Sequence, residues 1–474
     1  MENSSMQTQV QAQSAQPLAS SSRLEIYESQ KKFFKTFQTR SYDFRYSALK
    51  RFESVLLAHE PQVLRALGED LGKSEAEAYM TEFAIVKSEL RYFLKNLKTL
   101  MRPQRVATPL VLFHASSAVY HEPLGQVLVI SPWNYPFNLA LTPVIGAVAA
   151  GNCVLLKPSQ RVSATNSVIQ KIIAEAFDPR HVSCVLGGHD VADELLELKW
   201  DFIFFTGSTE VGRKVYQKAA AQLTPVCLEL GGKNPCLVDP TADLKLTARR
   251  LVWGKLINTG QTCIAPDHLY VHSSIRDALV VELKRVIQEF YSENPEKHAD
   301  YPRLISKSKT DELLKLTQNE KAALMGQPSS DRTKLGPWIL DDVREDSPLM
   351  RQEIFGPLLP ILEFQDLDKL LENLNGKEKP LALYIFSNDS AAIQKVIERT
   401  SSGAVGINET LVHHANHNLP FGGVGTSGLQ KYHGPYSFAL FSNAKALLRK
   451  FNWIDIWIRY APFEGKLKWL RKLL

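Results

Sequence analysis

The sequence predicts an α/β protein of two open units, each carrying a largely parallel sheet. Three observations support that expectation. From Gln126 onward, short apolar runs alternate with helix-like segments, as strand–helix–strand crossovers require. The alternation restarts after Leu230-Gly231-Gly232. The length of 474 residues, at roughly 150 per domain, gives two or three domains and room for a large core. Apolar residues at 44% and charged residues at 22% match soluble globular averages, which excludes collagen, coiled coil and global disorder.

Met1 to Ser22 contain no Lys or Arg and no apolar run. They lack both regions of a secretory signal, and residues 1–23 read as a disordered polar tail. Leu24 to Leu100 read as a helical lead-in, with Leu64, Leu67 and Leu71 three and four apart. In the first unit, Val127–Ile130, Cys153–Leu156, Val182–Leu186 and Phe202–Phe205 are strand-like, and Leu139–Ala150 and Asn166–Phe177 are helical. The 34 residues from Pro123 to Leu156 carry no charge and raise the question of a membrane span. Pro132, Pro136 and Pro143 break the run, and Asn134, Asn138 and Asn152 would be costly in lipid, so it reads as buried core. In the second unit, Cys236–Val238 and Leu269–Val271 are strand-like around a helical Leu244–Leu256.

The net charge of +6 lies entirely in residues 445–474, where eight basic side chains face only Asp455 and Glu464. The remaining chain is balanced, which gives no reason to expect nucleic-acid binding. Residues 451–474 add Trp453, Trp457, Tyr460, Phe463 and Trp469, with Leu467, Leu470 and Leu474 on one helical face. A basic, aromatic, amphipathic tail suits an anionic membrane surface, and packing on a partner subunit or over a substrate entrance is the alternative. The five cysteines are an odd set without C-x-x-C spacing. They indicate neither a disulfide framework nor a zinc knuckle, and favour a reducing, cytoplasmic location, with peripheral membrane attachment as the variant.

Several motifs compete for a role in chemistry. Gly207 to Lys214 follow a strand and open a helix, a turn able to hold phosphate on free N–H groups or to be a plain tight turn. As a nucleotide-triphosphate loop it fails, because Arg213 replaces the Lys and Val215 follows Lys214. Gly423-x-Gly425-x-x-Gly428 fits a dinucleotide fingerprint in letters but follows Asn418-Leu419-Pro420-Phe421, which is no apolar strand, so it reads as a close-packed loop. His413 and His417 have a metal-binding spacing. His414 stands where a Glu is needed and the surroundings are loop-like, so these read as structural histidines and no metal is expected.

Cys263 in Gly260-Gln261-Thr262-Cys263 sits in a polar turn after a helix, where a thiol is more exposed and more easily ionised than in a strand. Glu229 lies inside the apolar Cys227–Leu230 run, where desolvation would raise its pKa as a general base requires; pairing with Lys233 is the plain alternative. Asn134, between Pro132 and Pro136, offers an amide to an oxyanion or is a simple turn residue.

Together these segments resemble the aldehyde dehydrogenase superfamily from about residue 25 to 450, in its shorter class 3 branch of fatty and aromatic aldehyde dehydrogenases. The carriers are Pro132-Trp133-Asn134-Tyr135-Pro136, Lys157-Pro158-Ser159, the Gly207–Gly212 turn, Leu228 to Gly232, Gly260 to Cys263, Glu353-Ile354-Phe355-Gly356-Pro357, Pro420-Phe421-Gly422-Gly423 and Lys431 to Phe438. The resemblance implies a cofactor-binding domain of Rossmann type (24–105 and 125–230), a catalytic domain (231–428) and a small bridging, dimerising β element (106–124 and 429–450). It also implies NAD- or NADP-dependent oxidation of an apolar aldehyde. Cys263 would attack the aldehyde, Asn134 and the Cys263 N–H would stabilise the oxyanion, and Glu229 would activate the water that hydrolyses the thioester. Lys157, Ser159, Gln160, Gly207, Ser208, Gly212, Glu353 and Phe355 would bind cofactor, and Tyr135, Trp253 and Ile257 would wall the substrate pocket. Where the family commonly carries Glu, this chain has Gln160 beside Arg161, which removes repulsion toward a 2′-phosphate and implies that NADP⁺ is accepted. The rival classes are a cysteine esterase or acyltransferase without redox chemistry and an inactive membrane-docking scaffold.

Overall fold

The computed structural model describes residues 20–473. Residues 1–19, which hold most of the expected disordered tail, lie outside the described residues. A helix already begins at Ser20, inside the 1–23 segment. The lead-in comprises helices Ser20–Phe34, Tyr42–Ala58, Glu60–Leu71, Glu75–Ala78 and Ala84–Leu100, with a π-helical turn at Tyr79–Phe83 before the last. Their ends follow local chemistry. Ser41 accepts from the Phe44 N–H at the start of one helix, and Gly72 ends another in the left-handed region at φ 66°. Val63, Ala66, Leu67 and Leu71 form one buried stripe. Truncating Leu67 to Ala there would cost about 2–5 kcal/mol.

The first sheet has the strand order Gly428–Leu429, Val226–Glu229, Phe202–Thr206, Gln126–Ile130, Cys153–Lys157, Val182–Cys184. All neighbours are parallel except the antiparallel Gly428–Leu429. Every residue of the four longer parallel strands is buried, which explains their continuous apolar runs. The chain steps outward from Gln126–Ile130 in one direction, then returns to place Phe202–Thr206 on its other side. The crevice beyond the carboxyl ends of those two strands is therefore the switch point where open α/β sheets bind ligands.

The charge-free run is core. Helix Asn138–Ala150 is buried along its whole length, and the Asn152 side chain bonds the Ala147 and Phe441 carbonyls and the Gly125 N–H. No helix among the described residues is long and apolar enough to cross a membrane.

The second sheet runs Lys321–Leu324, Trp338–Asp341, Leu358–Phe364, His268–His272, Pro235–Val238, Ala382–Phe386, Ala404–Ile407, parallel but for the first pair. A third, antiparallel sheet joins Gln104–Val106, Ala115–Pro123 and Ser442–Lys450, the last two in register from Ser442 opposite Pro123 to Lys450 opposite Ala115. The expected bridging segment 429–450 is not all bridge. Leu429 pairs with Leu228 in the first sheet, and helix Gly434–Leu440 packs on Asn138–Ala150, where a Cβ added to Gly146 would meet Ser437. Beyond Lys450 the chain forms a short helix at Leu467–Leu473, with Trp453, Trp457, Phe463 and Trp469 all more than half exposed.

Candidate active site

Helix Leu244–Leu256 runs into a turn whose residues Asn258, Thr259 and Gly260 are all left-handed, at φ 50°, 54° and 75°. Three such residues in succession persist only where surroundings over-determine them. Gly260 is required, because a Cβ there would sit 2.4 Å from the Gly356 oxygen. Side chains hold the rest. The Gln261 amide donates to the Arg303 carbonyl at 3.0 Å and accepts from Ile305 N–H at 2.9 Å, and Thr262 Oγ1 meets the Tyr135 hydroxyl at 2.6 Å. Asn234 donates to the carbonyls of Cys263 (2.8 Å) and Ala265 (3.0 Å). Cys263 is thus presented, half-buried, from a backbone pinned on both sides.

Asn134 follows strand Gln126–Ile130 at the switch point. Its amide donates to the Gln261 carbonyl at 3.0 Å, and its own carbonyl accepts from the Asn258 amide at 2.8 Å. Below it, Lys73 Nζ and Glu82 form a fully buried pair at 2.7 Å, and the other Glu82 oxygen accepts from the N–H groups of Phe137 and Asn138. Glu77, pushed up to about 7 chiefly by burial, accepts from the Asn258 N–H. Glu229 ends strand Val226–Glu229, only 3% exposed. Its Oε1 accepts from the Cys227 thiol at 3.6 Å and its Oε2 has no partner.

Two cavities meet at Cys263, Leu139 and Phe421. One lies in the switch-point crevice, walled by Pro132, Trp133, Asn134, Gly207, Ser208, Glu229, Gly231, Glu353 and Phe355. Gly231 is needed for the approach of Glu353, since a Cβ there would sit 2.0 Å from its Oε2. The rings of Trp133 and Phe355 meet edge-on at 5.5 Å. The other cavity is apolar, walled by Met80, Ile85, Tyr135, Trp253, Ile257, Leu411, Val412 and His414. Tyr135, Trp253 and Ile257 therefore fall together. The π-turn and the 411–421 loop supply walls that sequence reasoning missed; the charged Lys73, Glu77 and Glu82 within an otherwise amphipathic lead-in were the available signal.

Four expected cofactor residues stand outside the crevice wall. Lys157 ends its strand, buried, with Ser159 and Gln160 on the turn that follows. Gln160 lies against Gly188, where a built Cβ would sit 2.6 Å from its Oε1 and 2.7 Å from Asp190 Oδ1. Gly212 packs helix Thr209–Ala221 on Leu230, where a Cβ would sit 2.5 Å from Cδ2, so its role is helix–strand contact.

The electrostatics correct one expectation. Burial, then the carboxylates of Glu353 and Glu229, push the Cys263 thiol well above its usual range, and the N–H groups of Cys263 and Ile264 offset this only partly. The resting nucleophile is a thiol, not an easily formed thiolate. Burial raises Glu229 well above the carboxylate range, with Lys431 opposing, and raises Glu353 to about 8. Among the described residues no three or more His, Cys, Asp or Glu side chains gather as a metal-holding group. Burial lowers His413 to about 4 and His414 to about 3, and His417 pairs with Glu89 at 2.6 Å. The Gly423–Gly428 segment is a tight loop, with a Cβ at Gly423 only 2.1 Å from the Ser427 oxygen.

The profile of the aldehyde dehydrogenase family matches residues 6–447. The chain is 41% identical over 448 residues to 4,4′-diaponeurosporen-aldehyde dehydrogenase of Staphylococcus aureus, covering 94% of this chain and 97% of that protein. It is 43% identical over 442 residues to aldehyde dehydrogenase family 3 comG of Dictyostelium discoideum, covering 92% and 94%. The solved structure of substrate-bound Staphylococcus aureus AldH superposes with a TM-score of 0.93 at 40% identity, over 95% of this chain and 99% of that one.

Proposed function

The chain belongs to the aldehyde dehydrogenase family, and from that premise we propose that it oxidises an apolar, fatty or aromatic aldehyde with Cys263 as nucleophile, Asn134 as oxyanion donor and Glu229 as general base. The activity itself, NAD(P)⁺-dependent oxidation of an aldehyde, is that of the family; the cysteine esterase and inactive scaffold are not favoured. The observation that carries the finer reading is the meeting of an apolar cavity and a polar crevice at one sulfur.

The crevice fits a nicotinamide dinucleotide. Gly207 and Ser208 stand on its wall at the N-terminus of helix Thr209–Ala221, where free N–H groups and the dipole favour a pyrophosphate. Glu353 would hold the nicotinamide ribose beside Phe355, and Lys157, Ser159 and Gln160 the adenine-side ribose. The bound cofactor supplies the hydride acceptor. Gln160 stands where a carboxylate would repel a 2′-phosphate, which supports acceptance of NADP⁺ alongside NAD⁺.

The chain's own residues do the remaining work. Cys263 gives up its thiol proton to solvent as Sγ bonds to the aldehyde carbon, and the resulting oxyanion takes hydrogen bonds from the Cys263 N–H and from Asn134, whose amide uses one proton on Gln261 and keeps the other. After oxidation, Glu229 takes a proton from water as the water oxygen bonds to the thioester carbon. The carbon–sulfur bond then breaks, releasing the carboxylic acid and the Cys263 thiolate. The unpartnered Oε2 supports this role, since Oε1 already accepts from the Cys227 thiol.

We also infer a homodimer that pairs through the exposed edge strand Ser442–Lys450, and a cytoplasmic enzyme whose tail docks peripherally on an anionic membrane. Its cysteines are all free, which suits a reducing compartment. Steady-state kinetics across an aldehyde series test the substrate reading. The expected result is kcat/KM rising with chain length, by up to about fourfold per buried methylene. Indifference to chain length would overturn it.

A further inference from the structure

Glu229 has to meet two demands that conflict. A general base must be ionised near neutral pH, yet this carboxyl is almost fully buried, which favours the neutral acid. A direct ion pair would keep it charged but would also tie up the oxygen that water needs. Lys431 is the cation that opposes the effect of burial on this carboxyl.

The segment around Lys431 is a clamp on Glu229. Gly428 pairs with Glu229 across the edge of the first sheet, and Phe421 and Tyr432 exchange backbone hydrogen bonds in both directions. This brings Gly422 and Lys431 together over the carboxyl. A Cβ built on Gly422 would sit 2.7 Å from Glu229 Oε1 and 3.1 Å from Lys431 Cδ, so both side chains close on one glycine. The Lys431 ammonium does not pair with the acid. It donates to the carbonyl oxygens of Gly422 and Gly403. Glu229 Oε1 takes the Cys227 thiol and Oε2 takes nothing.

The other titratable groups facing Glu229 are Cys227 on its own strand, Cys263 on the nucleophile turn and Tyr432 beside Lys431, with Glu353 on the far crevice wall. None of these is a cation. We propose that Lys431 is a positioning residue for thioester hydrolysis: its charge, held by two carbonyls and not paired with the acid, favours the ionised form of Glu229 against its burial while leaving Oε2 unpartnered. This rests on the reading of Glu229 as the general base.

The test isolates one step. The enzyme is mixed rapidly with a medium-chain aldehyde and NAD⁺, quenched in acid, and the acyl group on Cys263 is followed by intact mass between about pH 5 and pH 9. Lys431→Met is compared with Lys431→Arg, Lys431→Gln and Glu229→Gln. With Lys431→Met the acid limb of acyl-enzyme hydrolysis should move up by about one pH unit, slowing hydrolysis roughly tenfold near pH 6. Acyl formation should keep its wild-type rate, and Lys431→Arg should restore the limb. Lys431→Gln repeats the loss of charge with a polar side chain, should Met disturb folding. An unmoved acid limb in both neutral variants, or equal slowing of acylation and hydrolysis, would overturn the inference. Wild-type hydrolysis in Glu229→Gln would instead overturn the assignment of the base.

Discussion

The side-chain amide of Asn134 donates to the carbonyl oxygen of Gln261 at 3.0 Å, two residues ahead of Cys263. One hydrogen bond thus joins the switch-point loop of the first sheet to the nucleophile turn of the second unit. The Asn258 amide closes the link by donating to both Asn134 and Gln261 carbonyls, at 2.8 and 3.1 Å. The Asn134 amide and the turn that carries Cys263 are therefore fixed relative to one another, which is what the proposed oxyanion site demands.

Replacing Asn134 by Ala removes a donor aimed at charge that exists only after attack. We expect kcat to fall by about 10²–10³, with KM changing far less. Steady-state kinetics check this. A loss confined to KM would assign Asn134 to substrate binding instead.

The resting Cys263 should react slowly with alkylating agents at neutral pH, because burial keeps the thiol protonated, and the carboxylates of Glu353 and Glu229 oppose its ionisation further as the pH rises. The sign follows from charge. Ionising the sulfur beside two acids costs more than in water, so alkylation should climb about tenfold per pH unit through the alkaline range. Glu353→Gln and Glu229→Gln should each speed it at fixed pH. Iodoacetamide trapping read by mass spectrometry measures the rate, and a plateau already reached at neutral pH would contradict the account.

Much of the fold was legible because its strands are buried on both faces. Val127–Ile130, Cys153–Leu156, Phe202–Phe205 and Cys236–Val238 are apolar without interruption, and each lies in a strand of the structure. The strands beyond His272 were not individually placed, although Ala382–Phe386 is equally buried. The site divides in the same way. Cys263, Glu229 and Asn134 stand in sequence contexts whose chemistry is local: a Gly-started turn, an acid in an apolar strand, an amide between prolines. The apolar wall was only half visible. Met80 and Ile85 reach it through a π-turn in the lead-in, and Leu411 and Val412 through a loop 148 residues after Cys263 at its near end. No spacing rule connects those positions. A polar turn points to an exposed, easily ionised Cys263, whereas burial and the nearness of Glu353 and Glu229 to the sulfur arise only in the tertiary fold.

On the proposed reading, cofactor choice turns on Gln160. With Gln160→Glu a carboxylate would face any 2′-phosphate, so use of NADP⁺ should fall by roughly tenfold or more while NAD⁺ is kept. Parallel kcat/KM values with both cofactors decide the point. A wild-type preference for NAD⁺ above about a hundredfold, or about 2.7 kcal/mol, would remove the premise.

The tail can be separated from catalysis. A chain stopped after Lys450 loses the exposed Trp453, Trp457 and Trp469 together with Lys466, Lys468, Arg471 and Lys472. We expect the full chain, and not the shortened one, to co-sediment with vesicles of anionic lipid, and salt to weaken that binding. Equal binding by both would remove the membrane reading.

The most direct test of the central claim is the absorbance rise of reduced nicotinamide when the purified protein meets a medium-to-long-chain aldehyde with NAD⁺ or NADP⁺, beside Cys263→Ala. Reduction by the wild type that vanishes in Cys263→Ala, with cofactor binding retained, is the result the account requires. Undiminished reduction in the variant would contradict it.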